Sequence, residues 1–163
     1  MENKDKQEKS GGGFLFMRGS LEIALKNAFT GELIEKREIH NIVVTAGRRW
    51  VLEKIQSVSP PGEEIEFMAI GSISSDAPDT GETALASEQD RKAVGTFETS
   101  NLTGPLPSWE AQTSWATNEA NTTIGEVGLF NSSAAGTMLA RATFATLDKT
   151  TSNTLTISYT ISN

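Results

Sequence analysis

Glu126 stands inside Thr123-Ile124-Gly125-Glu126-Val127-Gly128-Leu129-Phe130, an extended run whose parity places the carboxylate on the same side as Ile124 and Phe130. A carboxylate on such a half-buried face needs a cation or several hydrogen-bond donors, because an unpaired charge taken out of water is very costly. Arg141 and Arg91 are the candidate partners, and the chemistry expected of them is a structural ion pair rather than catalysis. Glu88, Asp90 and Arg91 form a second charged group, but carboxylates two positions apart on a helix do not share a face, and a solvated surface is expected there. His40 is the only histidine in 163 residues. One imidazole limits proton transfer near neutral pH and leaves no Ser–His–Asp constellation to argue from.

Metal and cofactor sites find no pattern either. His40 lacks an acid at ligand spacing, and Asp76, Asp79 and Glu82 do not follow the EF-hand spacing that their oxygens suggest. The absence of cysteine excludes disulfides, thiolate zinc, iron–sulfur clusters and cysteine nucleophiles together. Gly125, Gly128 and Gly136 are too irregular for a phosphate loop and read as bulge or turn glycines. No cofactor and no metal is expected. Trp109 and Trp115, six apart on one strand, share a face; they suit core or subunit-interface packing, with a sugar-stacking platform as the alternative. The Asn-x-Ser/Thr triplets at Asn101, Asn121 and Asn131 are chance in so Ser/Thr-rich a chain, since no secretory signal accompanies them.

These residues need elements to position them. Leu21, Ile23 and Leu25 alternate with polar neighbours, Leu33 through Ile39 offers a second extended segment, and Thr30-Gly31 makes the turn of a hairpin. Thr45 can cap a short helix with an apolar side built from Trp50 or Val51, Leu52 and Ile55; Pro60-Pro61-Gly62 ends it. A strand over Ile65–Ile70 runs into a polar loop, and Glu82–Arg91 has the composition of a second helix, with acids early and Arg91 last. Extended segments follow near 92–99, 109–118, 122–131, 137–146 and 153–162. In the last, Leu155, Ile157, Tyr159 and Ile161 alternate strictly with Thr156, Ser158, Thr160 and Ser162, so one face must be buried. Short strands with two short helices predict a mainly β fold, an antiparallel β-sandwich or barrel-like domain over 14–163. Residues 1–13 balance acid against base and end in Ser10-Gly11-Gly12-Gly13, which predicts a flexible N-terminal arm ordered by lying on a neighbouring subunit.

Fifteen of the 19 threonines lie from Thr96 onward, in a stretch whose only basic residues are Arg141 and Lys149. A formal charge of −7 with a pI near 4.8 argues against a nucleic-acid partner. No run approaches the ~20 apolar residues of a membrane span, and the polar opening lacks the apolar core of a signal peptide. No membrane partner is expected, and the protein is expected to be made in a cytoplasm.

In their order, several segments resemble small virion structural proteins of tailed bacteriophages. They are Asn27-Ala28-Phe29-Thr30-Gly31, His40-Asn41-Ile42-Val43-Val44-Thr45-Ala46-Gly47, Phe67-Met68-Ala69-Ile70-Gly71, Thr83 through Arg91, Ile124 through Asn131, Gly136 through Phe144, and Leu155-Thr156-Ile157-Ser158-Tyr159. The likeness spans about residues 14–163. It implies a non-enzymatic structural role in a virion, as a capsid decoration (cement) protein on the major capsid protein or as a tail-fibre or baseplate component. It also implies trimeric assembly. The apolar residues Val127, Leu129 and Leu139, with Trp109 and Trp115, are the candidate interface of that homotrimer. The chain has no long repetitive shaft, which favours the capsid, and synthesis would be in the host bacterial cytoplasm.

Overall fold

The computed structural model describes residues 17–56, 64–73, 77–98 and 107–162. The expected arm over 1–13, the Pro60-Pro61-Gly62 loop, Asp76 and the Asn101 triplet lie outside the described residues. The chain forms β1 (Arg18–Asn27), β2 (Leu33–Val43), α1 (Thr45–Gln56), β3 (Phe67–Gly71), β4 (Glu88–Ala93), β5 (Thr96–Glu98), β6 (Ser108–Trp115), β7 (Thr123–Phe130), β8 (Met138–Asp148) and β9 (Asn153–Ser162). It is mainly β, and its strands pair antiparallel in one nine-stranded sheet of order β4-β3-β7-β8-β2-β1-β9-β6-β5.

That sheet curls into a half-barrel. Strands β4 and β5 occupy its opposite ends, yet only Val94 and Gly95 separate them in the chain, so the two ends must come within the reach of that link. Side chains fasten the same place: the Trp115 indole on β6 donates to Asp90 Oδ2 on β4 at 2.6 Å. Inside the curl one core gathers Leu21, Ile23, Ile70, Val127, Leu129, Trp115, Ile157 and Tyr159 from both wings. Strand β2 is the hinge of the curl. Leu33–Asn41 runs against β1, while Ile42 and Val43 pair with Arg141 and Ala140 of β8. Where β2 and β8 diverge, the Arg37 guanidinium donates to the carbonyls of Ala145 and Thr146.

Strand β9 keeps the alternation of its sequence, with every odd residue from Asn153 to Ile161 buried. A second, smaller core of Val44, Ala69, Leu85, Phe130 and Met138 covers the outer face of β3 and β7. Leu85 belongs to the loop before β4, and this loop is why β7 is buried on both faces from Ile124 to Phe130.

Two expectations need correction. The segment expected as a second helix over Glu82–Arg91 is instead a loop followed by β4, paired with β3 from Phe67↔Ala93 to Gly71↔Glu88; α1 is the one helix among the described residues. Helix-forming composition is a weak preference, and here the edge of β3 and distant partners for Asp90, Arg91 and Lys92 overrule it. Glu126 does share a face with Phe130, but the irregularity between Ile124 and Glu126 sends Ile124 to the main core instead.

Candidate functional site

Three features of the molecule could do work: a buried ion cluster, an exposed hairpin tip and an open aromatic groove. The cluster is built where the 79–87 loop crosses β7 and β8. Glu126 and Arg141 are both fully buried, and Arg141 Nε and Nη2 donate to Glu126 Oε2 at 2.9 and 2.6 Å. The carboxylate also accepts the backbone N–H groups of Ser87 at 2.7 Å and Ala86 at 3.1 Å. Arg141 Nη1 donates to Glu82, whose other oxygen accepts the Asp79 N–H at 3.2 Å. Burial opposes the guanidinium charge, but the hydrogen bonds to Glu82 and Glu126 outweigh it and raise the Arg141 pKa above its ordinary value. Gly71 is required beneath it, because a Cβ there would collide with Glu126 Oε1 and lie 2.7 Å from the Ser87 carbonyl. This arrangement binds a loop to a sheet, a structural task.

Arg91, the other expected partner of Glu126, is engaged elsewhere. Its Nε and Nη2 form a fork with Glu88 at 2.9 and 2.6 Å, and Nη1 donates to the carbonyls of Ser132 and Ala135. The guanidinium carbon lies 3.7 Å from the Phe130 ring centroid, a cation–π contact. Arg91 thus holds the 131–136 turn, where Ala135 and Gly136 have positive φ.

The expected interface residues also move. Val127, Leu129 and Leu139 are at most 1% exposed within a single chain, so the chain's own core uses them and a subunit contact cannot. Trp115 is fully buried as well and cannot be part of a sugar platform. The period-two reading placed Trp109 and Trp115 on one face, but only Trp109 reaches the rim. Asp79 Oδ1 accepts the Gly81 N–H at 2.7 Å within the loop, and the oxygens of Glu82 are taken by the Asp79 N–H and by Arg141 of β8.

Sequence reasoning missed Lys149, which is buried although charged. Its Nζ donates to the Ala116 carbonyl at 2.6 Å and to Asn121 Oδ1 at 3.2 Å, and burial lowers its pKa. The available signal was its isolation: Arg141 and Lys149 are the only basic residues in the threonine-rich stretch, and both are buried.

At the hairpin tip the apolar and polar roles are reversed. Phe29 is 88% exposed, Leu33 49% and Ile34 54%. The turn that carries Phe29 is held firmly, and Leu33 and Ile34 open β2 just after it. Asn27 Oδ1 accepts the N–H groups of Phe29 and Thr30, Gly31 takes a φ of 71°, and the Gly31 N–H donates to the Asn27 carbonyl at 2.9 Å. The Ala28 N–H donates to the Ser152 carbonyl, which ties the turn to the one before β9.

The groove opens between α1 and the β5–β6 edge, with a volume of about 670 Å³, and its walls are Trp50, Val51, Ile65, Phe97 and Trp109. Phe97 and Trp109 lie 6.1 Å apart between ring centroids, and the Lys54 ammonium sits 5.3 Å from the Trp50 centroid. The chain matches no protein-family model, no curated protein and no solved structure.

Proposed function

We propose that the protein is a structural component of a tailed-phage virion, and specifically a capsid decoration protein that stabilises the shell by protein–protein contacts. The observation that carries the reading beyond the resemblance is the hairpin tip: a rigid turn presenting Phe29 and two aliphatic neighbours to solvent. A pre-ordered aromatic of this kind loses little entropy on docking and is typical of the anchors that dominate interface energies. The partner is the major capsid protein, and the net charge of −7 favours basic or mixed patches on the shell and disfavours the packaged genome. Assembly as a homotrimer would let several modest contacts act together through effective concentration. Its self-contact would fall on surface residues, because Val127, Leu129 and Leu139 are core. The arm over residues 1–13 would add a contact across a neighbouring subunit.

A tail-fibre or baseplate component is the second reading, favoured by Trp109 in an open groove where a receptor sugar could stack. Locating the chain in a virion reconstruction tests both. Copies repeated over the capsid lattice are expected, and a handful of copies at the tail would overturn the first reading. Phe29→Ala should weaken attachment to bare shells by about 2 kcal/mol, roughly 30-fold in Kd.

A further inference from the structure

We infer that the aromatic groove is the seat of the chain's own Phe14-Leu15-Phe16, the apolar segment just before β1, which lies outside the described residues. Four observations lead there. First, β1 begins at the mouth of the groove: Arg18 pairs with Ser162 and Ser162 with Ser108, next to Trp109. Second, Met17 is half-buried and already packs on the main core together with Trp50, Val51 and Trp109. Third, the distance fits. Two strand spacings separate β1 from β6, about 10 Å, and three extended residues span about 10 Å. Fourth, the groove lacks something an extended segment supplies. The Trp50 indole N–H is buried without a partner among the described residues, and a buried donor of this kind is costly until a carbonyl meets it.

The occupant is apolar where the walls are apolar, and it is followed outward by Gly13, Gly12 and Gly11, which free the chain again. The segment would thus root the arm at a fixed point on the body. This inference does not rest on where in a particle the protein sits, and a filled groove would leave no room for the receptor sugar of the tail reading.

The absence of cysteine makes a clean test possible on the full-length chain. Leu15→Cys with Phe97→Cys, treated with a short bismaleimide, should bridge within one chain at a rate independent of protein concentration. Leu15→Cys with Phe29→Cys, whose partner lies beyond the far end of β1, should not. Bridging only between chains would show that the groove receives a neighbour's segment and would overturn the assignment, as would equal rates for the two pairs. Acrylamide quenching gives a second readout, since Trp115 is buried and Trp50 and Trp109 line the groove. Replacing Phe14, Leu15 and Phe16 by serine should increase quenching and shift emission to the red, while removal of residues 1–13 leaves both unchanged. Unaltered fluorescence in the serine variant would overturn the inference.

Discussion

The β7–β8 wing and the β1–β2 hairpin use the same residue types in opposite ways. In the first, Glu126, Arg141 and, against the Phe130 ring, Arg91 are drawn under a loop and into the protein. In the second, Lys36 pairs with Glu22 in solvent while Phe29, Leu33 and Ile34 face outward. Between these two regions, then, a charge does not mark the surface and an apolar residue does not mark the core. What decides is whether another segment crosses the strand. The 79–87 loop crosses β7 and makes its polar residues structural, whereas nothing among the described residues covers the hairpin tip, which leaves its apolar residues free to engage a partner.

The contrast breaks most directly at Arg141. Arg141→Met removes the cation from two carboxylates, one of them fully buried, and should cost about 3–5 kcal/mol of stability, since breaking a buried pair strands its partner. Urea unfolding of the variant beside the parent reads this; a loss under 1 kcal/mol would mean the loop, not the ion pair, holds the wing. Gly71→Ala follows. The added methyl would displace Glu126 or the Ser87 carbonyl, and overpacking of this kind should cost about 1–3 kcal/mol.

The hairpin predicts the reverse. Phe29→Ala removes a side chain that touches little of its own domain, so stability should stay within about 0.5 kcal/mol of the parent, even though attachment suffers. A large drop in melting temperature would show that the tip packs on something within the chain and would erase the distinction between the two regions.

The same distinction explains what the sequence made legible. Strands β9 and β1 bury one face each, so period-two alternation reveals them, while β2 was legible through the Thr30-Gly31 turn that pairs it with β1. The Glu126–Arg141 pairing followed from the cost of a lone carboxylate beside Phe130. Strand β4 was hidden because Glu88-Gln89-Asp90-Arg91-Lys92 has no alternation at all: its side chains are satisfied by Trp115, by the 131–136 turn and by Glu119, all remote in sequence. The status of Val127 and Leu129 was hidden for a related reason. Alternation says that a strand has two faces, but whether the second is covered depends on a loop whose path no local pattern encodes.

The smallest effect belongs to Glu119, which lies between the two extremes, in the turn joining β6 to β7. Its Oε2 takes a hydrogen bond from Lys92 Nζ at 2.6 Å and from the Ala116 N–H at 2.8 Å. The Lys92 hydrogen bond chiefly, then the Ala116 bond, hold its pKa below the ordinary carboxylate value of 4.5. A carboxylate depressed in the folded state binds fewer protons there than in the unfolded chain, so it contributes stability above the ordinary value and loses it as the pH falls through the folded one. Lys149 nearby changes stability in the same direction but in another window: its lowered pKa is a cost that lifts as pH rises towards the ordinary lysine value of 10.5, so it leaves the acid limb alone. The Glu119 side chain is 35% exposed, and solvent screening keeps the contribution small. Glu119→Gln should therefore melt slightly below the parent at neutral pH, with the difference closing as the pH drops below about 4.5. Melting curves of the two proteins across that range decide the matter: a gap that persists unchanged into acid would mean that Glu119 acts through packing rather than through its charge.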